Sequence, residues 1–177
     1  MNVIQFAGAT FCHADSALAG GSTTTLTLGV APYYCIKGKA YTQATTTNVQ
    51  PSTTDITTGA TLEGIPAGYG AVIVVGATST ESTTLRMAQG PLAELDVNST
   101  TYTPGSFKDR PQFPSLPEDF CPFGYVVVKV ATDYTSGASY IFGSSNTTVT
   151  GAQNSASTAH ANTFTSVMAM PDRPVAS

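Results

Sequence analysis

The apolar positions of this chain fall in short clusters separated by threonine, serine, glycine and proline, and a helical i, i+3, i+4 spacing is interrupted in almost every window. Strand signals recur instead. Residues 3–6 (VIQF) are a short candidate, and 24–30 alternate apolar residues with threonine. Residues 33–41 (YYCIKGKAY) read as a strand with a bulge or turn that Gly38 permits. Residues 61–63 (TLE) are another short candidate. The run 71–75 (AVIVV) is continuously apolar, as expected of a strand covered on both faces. With 84–88 (TLRMA) it predicts a hairpin across the Thr/Ser/Glu link between them. A second hairpin is predicted between 125–130 (YVVVKV) and 139–142 (SYIF), and 163–170 (TFTSVMAM) is the last strand. Eight or nine short strands with turn signals between them predict an all-β chain: a single β-sandwich or jelly-roll-like domain over 31–177, with long loops and residues 1–30 as an extended amino-terminal arm or added strand.

Three segments break the pattern. Residues 42–59 (TQATTTNVQPSTTDITTG) and 143–161 (GSSNTTVTGAQNSASTAHA) are polar; each is either a disordered loop or a loop ordered by neighbours. Residues 103–122 (TPGSFKDRPQFPSLPEDFCP) carry five prolines. Proline fixes φ and removes a donor, so a stiff, extended connector is expected here and not a central strand. Phe107, Phe113, Leu116 and Phe120 are its apolar anchors. Anchors on a stiff chain lose little entropy on docking, which suits a subunit or partner interface; the alternative is a long loop closing one end of the domain. The carboxyl end, MPDRPVAS, is extended by Pro171 and Pro174; either Asp172 and Arg173 pair with a neighbour or the tail frays.

Composition sharpens the fold class. Charged residues are 10% of the 177, against about 25% in ordinary globular domains, and threonine with serine fills about a quarter of the chain. Threonine is β-branched and fits a pleated, half-buried surface. So little charge points to surfaces covered by copies of the chain or by a partner. The net charge is −4 and the seven Lys and Arg form no basic stripe, which argues against direct nucleic-acid binding. No apolar run reaches the ~20 residues of a membrane-spanning helix. The first residues lack a positive n-region and a continuous apolar stretch, so residues 1–20 are expected in the mature protein. Cys12, Cys35 and Cys121 have no metal-ligand spacing and read as buried thiols; a Cys35–Cys121 bridge stays open, since both flank strands.

The chemistry of catalysis is thin. The histidines, His13 and His160, lie in small, polar surroundings. His13 follows Cys12, and neighbours on an extended chain point to opposite faces, which disfavours a Cys–His dyad. Glu118-Asp119 is the only adjacent acid pair, between Pro117 and Phe120, where a turn explains it. There is no tryptophan to stack on a sugar ring, and no HxxxH, CxxC, calcium-loop, GxGxxG or P-loop pattern. Gly68-Tyr69-Gly70 reads as a turn before AVIVV, and the Asn98-Ser99-Thr100 and Asn146-Thr147-Thr148 glycosylation matches are expected by chance in so threonine-rich a chain. No cofactor, metal or catalytic residue is assigned, and a non-enzyme is expected.

Taken in order, YYCIKGKAYT (33–42), AVIVVGATST…LRMAQG (71–90), PQFPSLPEDFCPFGYVVVKV (111–130), SGASYIFGSSN (136–146) and VMAMPDRP (167–174) resemble a group of small virion proteins of tailed bacteriophages. The most specific part is the P-x-F-P-x-[IL]-P…CP-[FI]-GY-x-V-V-K stretch; the likeness covers about three quarters of the chain and leaves out the first 30 residues. The resemblance implies a head decoration (cement) protein: a small β-sandwich or jelly roll that sits, often as a homotrimer, on the major capsid protein at the outside of the virion, assembled in the bacterial cytoplasm. It carries no catalytic motif. DNA packed in a head pushes outward on capsomer junctions, and a symmetric clip burying apolar area across a junction opposes that. On this reading the candidate interface comprises Phe107, Phe113, Leu116 and Phe120, with Phe6 and Phe11 on the arm. Two other readings share the composition: a tail or head fibre component or receptor-binding module with affinity for a host glycan, and a secreted hydrolase or lectin, which would need an aromatic-lined cleft with two carboxylates roughly 5–10 Å apart.

Overall fold

The computed structural model describes residues 11–12, 18–20, 25–44, 46–66, 68–79, 84–98, 103–130 and 160–166. All regular structure among them is strand: β1 (Phe11–Cys12), β2 (Leu18–Gly20), β3 (Leu26–Leu28), β4 (Tyr33–Ile36), β5 (Lys39–Thr42), β6 (Thr46–Val49), β7 (Tyr69–Thr78), β8 (Arg86–Gln89), β9 (Ala93–Asn98), β10 (Thr103–Phe107), β11 (Phe120–Val130) and β12 (His160–Ser166). The largest sheet runs β10-β9-β7-β11-β12, with β8 also paired to β7; two smaller sheets run β1-β4-β5 and β2-β3-β6, and every strand pair is antiparallel. The predicted strands 3–6 and 139–142, the part of 163–170 beyond Ser166, and the carboxyl end lie outside the described residues.

Local chemistry accounts for the turns. Lys37 and Gly38 have φ of 50° and 82°, the doubly positive pattern of a two-residue hairpin, and Ile36 pairs with Lys39 across it. Gly38 therefore makes a turn and not a bulge. In β6, Asn48 has φ of 57°, at a bulge where one residue of β3 faces two of β6, and its backbone N–H donates to Thr27 Oγ1 at 3.3 Å. Pro117–Phe120 is a turn closed by Phe120 N–H donating to the Pro117 carbonyl at 3.1 Å, with Glu118-Asp119 at its centre as their position predicts.

Strand β7 is the axis of the structure. Its residues from Gly70 to Thr78 are buried, and their alternation serves two cores. Ala71, Ile73, Val75 and Ala77 join Phe123, Val126 and Val128 of β11, Leu26 and Leu28 of β3 and Tyr34 and Ile36 of β4 in one cluster. Val72 and Val74 join Ala88, Leu116 and Phe120 in the other. The small sheets thus cover one face of the large sheet, and the proline-rich segment covers the opposite face. The AVIVV run is uninterrupted because both faces are covered. It pairs with β8 from Ile73↔Gln89 to Gly76↔Arg86, the predicted first hairpin. Leu18, Leu26 and Leu28, inside the expected arm, share the first core with residues beyond 30, and β1 and β2 pair with this chain's own β4 and β3.

Two expectations need correction. From Gly124 to Val130, β11 has β7 on one edge and β12 on the other, so both edges are taken and pairing with 139–142 has no room. The proline-rich segment does enter strands: Thr103–Phe107 forms β10, and Phe120–Pro122 begin β11. The rule that keeps proline out of central strand positions still holds, because both stretches lie at an open edge or a bulge. β10 is outermost in the sheet order, and over residues 120–122 β11 pairs only with β7 among the described residues. At Pro122 the register shifts by a bulge. Cys35 and Cys121 are buried and unbonded, as the buried-thiol reading expects, and the alternative bridge is not made.

Candidate functional site

The six candidate interface residues end in different places. Phe120 is fully buried and Leu116 nearly so, packed over Val72, Val74 and Ala88. Both are covered by their own chain. Phe113 is half-buried, its ring edge-on to Tyr125 at 4.9 Å and 80°. Phe107, also half-buried, lies over Gly70, where a Cβ would come within 2.8 Å of its ring. Phe11 is on β1, opposite Cys35, and Phe6 lies outside the described residues. The stiff connector therefore serves first as a strap across the large sheet. Gly90 lets it close down: a Cβ there would stand 2.3 Å from the Gln112 carbonyl oxygen.

Among the described residues the exposed large hydrophobic side chains are Val30 at 47% and Tyr33 at 60%, which makes their neighbourhood the candidate contact surface. Tyr33 opens β4, and its neighbour Tyr34 points the other way, into the first core. Tyr34 stacks on Tyr41 at 5.4 Å and meets Phe123 edge-on at 5.2 Å. Burial, then the proximity of Cys121 and Tyr41, pushes the Tyr34 hydroxyl above its ordinary pKa.

A second feature is a groove of about 620 Å³ between the 55–63 loop, the end of β8 and the strap. The loop begins in the polar 42–59 segment and is ordered by this chain itself. Ser52 N–H donates to the Leu85 carbonyl and Ile56 N–H to that of Met87, so residues 52–56 run alongside β8, with a parallel bridge at Asp55↔Met87. Asp55, 5% exposed, holds the turn: Oδ1 accepts from Thr57 N–H at 2.7 Å and Thr58 N–H at 3.2 Å, and Oδ2 from Gln89 N–H at 2.8 Å. Gly59, with φ of 72°, completes the turn and donates to the Asp55 carbonyl. Thr57 Oγ1 donates to the Ser115 carbonyl at 3.0 Å, tying loop to strap. The DITTG sequence is an Asx-turn signal that points to such a turn; nothing in it shows that the turn would meet residues 112–115.

The groove offers hydroxyls, amides, an aromatic ring and two prolines; its ionisable residues, among the described ones, are Asp55 and Glu63. No group of three or more His, Cys, Asp or Glu that could hold a metal occurs among the described residues. His13 lies outside the described residues, and His160 is on β12. No protein-family model, curated protein or solved structure matches this chain.

Proposed function

We propose that this chain is a non-enzymatic structural protein of a tailed-phage virion, a head decoration (cement) protein that binds the major capsid protein on the outer surface of the head. The observation that carries the reading is how the resemblance-bearing stretch 111–130 is used. Its Pro114, Leu116, Phe120, Cys121 and Phe123 are buried and its second half is the long strand β11, so the stretch works as framework. A motif spent on scaffolding suits a protein whose task is to hold a shape between neighbours. The two small sheets against the large one support a single β-sandwich, with the jelly roll as its more specific form. The shell-facing surface is the Val30–Tyr33 side of β1-β4-β5, where apolar area is still open, and three copies clip one capsomer junction.

The test is titration of undecorated heads with the purified chain, read by co-sedimentation and by the temperature at which heads open. Saturation at a fixed ratio with a raised opening temperature is expected. Unsaturable or absent binding overturns the reading, and binding to tails alone moves the chain to the fibre or receptor-binding class. A Val30→Ser, Tyr33→Ser variant should bind heads more weakly while its urea midpoint stays near that of the parent; unchanged head binding would remove this face from the contact. Light scattering after size exclusion reads the trimer.

A further inference from the structure

We propose that the groove between the 55–63 loop and the strap binds a short segment of an uncharged oligosaccharide. Its volume of about 620 Å³ lies within the ~300–1,000 Å³ of small-ligand sites. Charge sets the ligand class first. Among the described residues Asp55 and Glu63 line the groove and no Lys or Arg does, so phosphate, sulfate and uronate groups are disfavoured. The backbone then argues against an added peptide strand. Gln89 N–H is taken by Asp55, Gly90 N–H by the Val72 carbonyl, and the β8 edge by residues 52–56, so the row of main-chain groups that strand addition requires is already used.

What the groove presents is side-chain recognition. Gln112 brings an amide with both donors and acceptor, and Thr61 and Ser115 bring hydroxyls. Phe113 supplies an apolar surface for the C–H face of a pyranose, fixed by its edge contact with Tyr125. Dense hydroxyls beside an apolar ring face are what an uncharged sugar offers in return. The walls are set in advance by the Asp55 hydrogen bonds, the Thr57–Ser115 tie and the strap prolines, so little order has to be imposed on binding. Phe113 lies on the face of the large sheet opposite Tyr34, so a chain seated through Tyr33 would present the groove away from the shell.

The inference is tested on the isolated full chain, so its failure is separable from failure of head binding. The ¹⁵N-labelled protein is titrated with maltohexaose, cellohexaose and xylohexaose, with a galacturonate hexamer and a threonine-rich hexapeptide as controls. At least one uncharged hexasaccharide should shift the Gln89, Gln112 and Ser115 amides saturably, with a dissociation constant near ~1 mM. Thr61→Ala and Gln112→Ala, both at exposed positions, should each weaken that binding at least about fivefold without changing the urea midpoint. The proposal is overturned if none of the three sugars shifts these amides at about 20 mM. It is equally overturned if both variants bind as the parent does, or if the galacturonate or the peptide binds the same amides as tightly.

Discussion

Replacing Asp55 tests whether one buried carboxylate holds the loop onto the large sheet. In Asp55→Ala three backbone N–H groups lose their acceptor: those of Thr57, Thr58 and Gln89. A hydrogen bond to a charged group contributes roughly 1.5–3 kcal/mol, and a buried donor left without a partner costs about 1–3 kcal/mol. Thr57 and Thr58 are exposed, so water replaces most of what they lose. Gln89 N–H, between β8 and the loop, bears most of the penalty. The net destabilisation is therefore about 2–4 kcal/mol, below the sum of three full bonds. Asp55→Asn separates the two sides of the carboxylate. Its amide oxygen can still cap Thr57 and Thr58, but its NH₂ then faces the Gln89 donor, and about half the alanine effect is expected. Urea denaturation gives the free energies, and amide exchange at Gln89 reports locally, accelerating in both variants. An Asp55→Ala unfolding free energy within about 0.5 kcal/mol of the parent, or Asn no better than Ala, would refute the reasoning.

Three further outcomes follow from the packing. Gly76→Ala places a Cβ 2.1 Å from the Cys121 carbonyl oxygen and 2.8 Å from Phe120 Cζ, so β7 and β11 must part; about 3 kcal/mol of destabilisation is expected, against roughly 1 kcal/mol for Gly59→Ala, which meets nothing within 4 Å and suffers only its positive φ. Equal effects in thermal melts would contradict this. Gln43 is fully buried and its amide has no hydrogen-bond partner among the described residues, so Gln43→Leu should stabilise by about 1–2 kcal/mol in urea, and a loss would show that the amide is satisfied. Lys108 Nζ meets Glu94 Oε2 at 2.9 Å, and that hydrogen bond, then the charges, holds the Glu94 carboxyl below and the Lys108 ammonium above their ordinary values. Glu94's contribution is present above its unfolded pKa (~4.3) and lost as pH falls through the lower folded value; that of Lys108 is present below ~10.4 and lost as pH rises through the higher one. The Glu94→Gln difference in urea midpoint should therefore be small, shrink in salt and vanish in acid; a difference independent of pH would exclude the pair as its source.

The class of the structure and several of its parts follow from local residue patterns. Threonine-rich alternation and frequent turn residues allow strands and no long helix, and AVIVV can be so continuously apolar only where a strand has two covered faces. Lys37-Gly38 and Pro117-Glu118-Asp119 made their turns because the conformational preferences that drive them are local. Other outcomes depend on residues far apart in the chain. The edges of β11 went to β7 and β12, and periodicity carries no information about which of several similar strands wins an edge. Phe120 and Leu116 looked like anchors for a partner, but the anchor they fill is Val72 and Val74 of their own chain, 40 or more positions away. Pro122 sits in a long strand because the edge it would otherwise spoil has no described partner there. The groove is the same kind of result: DITTG encodes its turn, but only the docking of residues 52–56 on β8 and the close pass of Gln112 over Gly90 place that turn opposite the strap.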